Sequence, residues 1–298
     1  MLTTMWLLGL LLAAPGEAAL DCTPLAPPGG DLLGEVRHAR GLLWRVQAPG
    51  GAQSVLLGTM HIADPRVMAI LEQVQPRLDA AAVFVAEVDL DIAAISTLQG
   101  AMFYAGDRNL REVIGPELFD HAAPLMARYG LPREVVARMK PWAVFTTLSL
   151  PAGEPGMALD LALTSMAQAA GKEVVGLETV AEQVAVFEGL SELEQTRILR
   201  QMACHYTIFQ AAIERMIDLY AARDLAALAA LALRHSAPHG EAFLDALLWQ
   251  RNERMLERLE PVLAAGDAFV AVGALHLPGT RGLLQGLERR GYRVEALY

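Results

Sequence analysis

Residues Ser54–Pro65 read SVLLGTMHIADP: an apolar run, Val55-Leu56-Leu57, stops at Gly58, and His61 follows three residues on. Far downstream, Ala268–Gly279 reads AFVAVGALHLPG, where Gly273 ends a second apolar run and His276 again lies three residues beyond. The chain has only 7 histidines in 298 residues, so two in one local setting ask for a shared cause. A short apolar run bounded by glycine reads as a buried strand. The loops past the carboxyl ends of strands are where open α/β sheets carry their ligands. Each Gly-x-x-His therefore predicts a strand followed by a functional loop. Both sets converge if the two strands are near neighbours.

The flanking sequence supplies the rest of the sheet. Leu42–Val46 and Gln53–Leu57 flank Pro49-Gly50-Gly51 and predict a hairpin. Pro65–Asp79 has apolar residues at helical spacing, and Ala82–Val88 is a short buried strand. That strand–helix–strand unit over 53–88 implies a parallel pair. From about 90 to 265 the chain reads as a largely helical insertion. It includes Pro116–Tyr129, Pro132–Met139, Pro141–Leu150 and Leu159–Ala170. The capping box Ser191-x-x-Glu194 opens a long helix toward Ala222. Only Lys172–Leu177 reads as a strand there. Glu241–Ala265 is a further helix, and Asp267–Val272, Arg281–Arg290 and Tyr292–Leu297 close the chain as strand, helix, strand. The expected fold class is α/β, with a central sheet built from both termini, pseudo-twofold strand–Gly-x-x-His–helix units and a large helical insertion.

Composition narrows the function. Hydrophobic residues make up 54% and charged residues 19%, enough for a sizeable core. The net charge of −10, with no basic cluster, argues against nucleic acid as a partner. Residues 1–20 read as a secretory signal, with an apolar core Met5–Ala14 and Gly16-Glu17-Ala18 as the cleavage site. Ten apolar residues are too few for a stable transmembrane anchor. The expected location is therefore periplasmic or secreted, with anchoring to the membrane by the N-terminus as the alternative, a Pro/Gly-rich linker across 21–39 and one α/β domain over 40–298. Cys22 and Cys204 either pair in an oxidising compartment or are two unrelated thiols. A homo-oligomer stays open.

Glu87 ends the strand AVFVAEV, and Glu178 follows VVGL. An acid at the end of a buried strand costs desolvation unless it meets a cation, a metal or donors. His61, His276, Glu87 and Glu178 thus form a mixed N/O donor set suited to zinc, manganese or cobalt. Arg251 and Asn252, on the helix in WQRNERMLERLE, can aim into the site, where the arginine would bind a substrate carboxylate or a developing oxyanion. The bland reading of that helix is solvated charge pairs such as Arg254 with Arg258. Asp160 in ALDLAL reads as an N-cap, Lys140-Pro141-Trp142 as a helix start, and His235-x-x-x-His239 as a loop because Pro238 interrupts it.

Seven segments in order, LLGTMHIADP, VAEVDL, MKPW, ALDLAL, VVGLETVAEQ, LWQRNERM and VGALHLPGTRGLLQGLERRGYRV, resemble the TraB/GumN family. That family is related to the Tiki proteins, described as metal-dependent proteases, and to erythromycin-esterase-like folds. The resemblance runs from about residue 40 to the C-terminus. It implies His61, His276 and Glu87 as metal ligands, Glu178 and Gln183 as the GLET-x-x-x-Q pair, and Arg251-Asn252 as a matched pair. Asp160 stands where the family often has Gly-Leu-Asp; here Ala158 replaces the glycine. The function this implies is an exported, divalent-metal-dependent hydrolase acting on a peptide or protein, with Glu178 as ligand or general base. The alternatives are a metal-independent hydrolase using a histidine base and a non-enzymatic peptide- or signal-binding protein.

Overall fold

The computed structural model describes residues 20–24, 32–153, 156–236 and 240–298. The signal segment, apart from Leu20, and the middle of the Pro/Gly-rich linker lie outside them. Six strands form one sheet: β1 (Leu43–Gln47), β2 (Gln53–Thr59), β3 (Val83–Val88), β4 (Glu173–Glu178), β5 (Ala268–Gly273) and β6 (Arg293–Ala296), in the order β4-β3-β5-β2-β1-β6. The hairpin forms as expected, with Leu43 opposite Leu57 and Gln47 opposite Gln53. β1 is antiparallel to both its neighbours, and the other pairings are parallel.

The implied direct pairing of β2 with β3 does not occur. The two strands are parallel, but β5 lies between them, with Leu57 opposite Ala271 on one side and Phe84 opposite Phe269 on the other. The apolar content of β5 explains this. It reads AFVAVG, and its first five residues are all buried, as a central strand covered on both faces requires. The consequence is functional: the two Gly-x-x-His strands are immediate neighbours, with Thr59 opposite Gly273.

Helices run from 92 to 169 between β3 and β4, and from 180 to 265 between β4 and β5. β4 rejoins the sheet at its edge. The sheet core centres on Leu56, Leu57, Phe84, Phe269 and Val270. A second apolar cluster, including Phe119, Met126, Trp142, Phe145 and Leu199, holds the helical layer together. Two expected helices are divided. The 65–79 segment breaks into Pro65–Met68 and Leu71–Ala80. The one begun by the Ser191 capping box ends at Cys204 and restarts at Tyr206. The helix expected over 241–265 is continuous but carries a π turn at Asp245–Trp249. Cys22 and Cys204 form a disulfide, pinning the start of the linker to the end of the Glu192–Cys204 helix.

Gly58 sits where β2 meets the turn after β5. A methyl group added there would lie 2.8 Å from Leu277 Cδ1 and 3.2 Å from Ala274 Cα, closer than packed carbons tolerate. Gly58→Val is expected to cost about 1–3 kcal/mol in urea unfolding. Gly50→Ala, with no atom within 4 Å of the added carbon, should shift stability by no more than about 1 kcal/mol. Equal effects of the two substitutions would show that this close approach is not a constraint.

Candidate functional site

The parallel strands β2, β5, β3 and β4 end on one edge of the sheet, and the residues singled out in the sequence collect there. A methyl group placed on Gly273 would sit 3.3 Å from Glu87 Oε2, 3.4 Å from His276 Cδ2 and 3.9 Å from His61 Nε2. The three side chains therefore surround one point, and the missing side chain of Gly273 leaves that space open. His61 and His276 come together because β2 and β5 pair.

Each imidazole is oriented from behind. His276 is 3% exposed, and its Nδ1 lies 2.6 Å from Asn252 Oδ1. The Asn252 amide nitrogen donates to the carbonyls of His276 and Arg281. Those two carbonyls fix the amide, so Oδ1 must accept and His276 Nδ1 must carry the proton. Nε2 is left as a lone pair, 3.9 Å from Glu87 Oε2. His61 Nδ1 lies 3.0 Å from Asp160 Oδ1, which likewise favours a protonated Nδ1. Asp160 is thus not the N-cap expected of it. Ala158 occupies that position, and Asp160 stands inside the first turn of Leu159–Ala169, facing His61.

Glu87 is divided between two environments. Its Oε1 accepts from Gln183 Nε2 at 3.0 Å and from Arg251 Nη2. Its Oε2 accepts from the Gly273 amide at 3.0 Å and faces the histidines. Glu178 is fully covered: both oxygens accept from Arg251, one accepts from Arg254, and the other lies 3.4 Å from Gln183 Nε2. Arg251 also donates to Leu247 O within the π turn, so the two glutamates and this carbonyl engage its donors. Arg254 and Arg258, expected as solvated pairs, instead bind Glu178, Glu182 and Leu177 O. These contacts follow from the helix Gln250–Ala265 packing against the end of β4, a long-range fact that charge spacing along one helix does not reveal.

The two histidines differ in protonation. Burial, helped by the charge of Arg251 and opposed by Glu87, pushes the His276 pKa down to about 4. Burial also works against charge on His61, but Asp160 and Glu87 outweigh it and raise its pKa to about 9. The His61 side chain is 55% exposed, and solvent screening trims that rise. Burial disfavours the Glu87 carboxylate, yet the neighbouring imidazoles, Arg251 and the Gly273 amide hold its pKa down to about 2.

Beside this cluster lies a cavity of about 270 Å³. Glu87, His61, Asp160 and Gln183 form its polar end, and Leu98, Trp142, Leu161, Val184 and Phe187 line much of the rest. Sequence reading missed these walls, since apolar residues at helical spacing look like ordinary core. Trp142, expected only to mark a helix start, stacks on Phe187 with ring centres 5.4 Å apart. His276 and Glu178 do not line the cavity. His235, expected in a loop, lies in the last turn of the helix Leu225–Ser236, and His239 lies outside the described residues.

Among the described residues no three His, Cys, Asp or Glu side chains already close on a point tightly enough to hold an ion. The chemistry of the donors nonetheless fits one. The His276 Nε2 lone pair, Glu87 Oε2 and, once an incoming ion displaces its proton, His61 Nε2 lie around one open position, and each donor is oriented by a hydrogen-bond or ion-pair partner, as metal ligands are.

The buried arginine gives a direct test. Arg251→Met strands two buried carboxylates and is expected to cost about 3–5 kcal/mol in denaturant unfolding. Adding Glu87→Gln and Glu178→Gln should recover much of that loss. No recovery would mean that Arg251 acts through packing instead.

No curated protein and no solved structure matches the chain. The model of the TraB/PrgY/gumN family matches residues 42–296, from the first strand of the sheet to the last. The chain belongs to the TraB/PrgY/gumN family.

Proposed function

We propose that this protein is an exported, divalent-metal-dependent hydrolase acting on peptide bonds. The observation that carries the reading is the convergence of His61 Nε2, His276 and Glu87 Oε2 around Gly273, at the edge of a cavity that opens from the same cluster. His61, His276 and Glu87 would hold a manganese, cobalt or zinc ion. Such an ion supplies Lewis-acid polarisation of a carbonyl and makes water acidic near neutral pH.

The chain's own groups prepare that chemistry. Asn252 holds the proton of His276 on Nδ1, and Asp160 faces Nδ1 of His61 as an ion-pair partner at 3.0 Å. Arg251 and Gln183 hold Glu87 through Oε1 and keep Oε2 turned to the histidines. Glu178 and Arg251, expected as base or ligand and as substrate clamp, are reassigned. Glu178 is the buried counter-charge of Arg251, and Arg251 positions Glu87. Export is supported by the signal-like residues 1–20 and by the Cys22–Cys204 disulfide, a bond favoured in oxidising compartments. Among the described residues no helix is long and apolar enough to cross a membrane.

A second reading rests on the 3.0 Å contact of His61 with Asp160, the geometry of a histidine general base held by a carboxylate. A base must be unprotonated to act. With the His61 pKa raised to about 9, activity by this route should climb as pH rises toward 9 and survive chelation.

Elemental analysis of the purified protein separates the two. Wild type is expected to carry a divalent ion that His61→Ala, His276→Ala and Glu87→Ala each lose. Asp160→Asn and Asn252→Leu should weaken binding about 10–100-fold. A full metal complement in His61→Ala, or undiminished activity in chelator, would overturn the metal reading.

A further inference from the structure

We infer, building on the hydrolase reading, that the cavity beside Glu87 and His61 selects the substrate and takes one bulky, uncharged apolar side chain of the leucine or phenylalanine class. Its volume, about 270 Å³, falls just below the roughly 300–1,000 Å³ of sites for drug-sized ligands. It suits a single large side chain rather than a whole cofactor.

The lining sets the chemistry. Among the described residues no lysine or arginine lines the cavity, while Glu87, Asp160 and His61 stand at its polar end. An acidic side chain would meet Glu87 and Asp160 there, and His61, which carries positive charge at that end, is already faced by Asp160. A basic one would find Glu87 already held by Arg251 and Gln183, and Asp160 already facing His61. It would lose its hydration for carboxylates that already face Arg251 and His61. Two polar groups on the other walls are spent as well: Trp142 Nε1 donates to Glu188 and Thr164 Oγ1 to the Asp160 carbonyl. Apart from Thr59, what remains is carbon. The Trp142–Phe187 stack, with planes 8° apart, makes one flat wall, and Leu98, Leu161 and Val184 add others.

The rim points the same way. Leu161 lines the cavity yet is 40% exposed. Leu98 comes from the helix Ile92–Ala101, which has no buried residue and leaves Ile95 in water. Apolar surface left wet beside a candidate reactive centre is surface that an apolar substrate group covers on binding.

The test uses the full chain with its metal, a mixed peptide library and mass-spectrometric mapping of cleavage. Leucine, methionine or phenylalanine at one position relative to the cut is expected to exceed alanine at least about 10-fold, and to exceed aspartate and lysine by more. Val184→Trp, which fills the cavity, should collapse that preference. In parallel, ligand-observed NMR should show N-acetyl-phenylalanine amide binding to wild type but not to Val184→Trp, and N-acetyl-aspartate amide binding to neither. Cleavage without apolar preference, or a preference that Val184→Trp leaves intact, overturns the subsite while the hydrolase reading stands. Amide binding that Val184→Trp abolishes, without cleavage of any peptide, keeps the subsite and sinks the hydrolase reading. Absence of both cleavage and binding overturns the subsite.

Discussion

The site depends on one buried cation. Arg251 is 7% exposed, and taking a guanidinium out of water costs several kcal/mol unless its donors are met. Glu178 from the end of β4 and Glu87 from β3 meet them, with Leu247 O from the preceding π turn. One side chain thus ties the helix Gln250–Ala265 to two adjacent strands. Asn252, the next residue on that helix, is wholly buried and reaches His276 beyond β5. The Arg-Asn pair therefore works as a unit: the arginine sets the carboxylate and the asparagine sets the imidazole.

The strand ends were legible because their signal is local. A strand's apolar run, the glycine that stops it and the histidine after it lie within one short window, and both windows were read as equivalent. The sheet then needed only one topological fact, that β5 inserts between β2 and β3, to join them. That fact was not legible: strand order depends on which apolar strand is covered on both faces, and neighbouring residues do not state it. Partners across the fold were hidden for the same reason. Asp160 looks like a cap in ALDLAL because helix starts favour aspartate. Only the packing of Leu159–Ala169 against β3, β4 and β5 turns it toward His61. Trp142 and Phe187 sit on separate helices, and each carries the spacing of a core residue.

The two halves of the site are alike in sequence and unlike in environment. His276 is buried and its pKa is driven down to about 4, so its lone pair is available above that pH. Its orientation rests on an amide that is itself fixed by two backbone carbonyls. His61 stands at the cavity mouth, is half in water, and is held by a single carboxylate that favours its charged form. The buried half is a fixed donor, and the exposed half can turn and exchange its proton with solvent. Gly273 keeps the path between them open, since any side chain there would touch all three donor residues. That places the glycine in the working geometry of the site, and not only in the close packing of the strand that carries it.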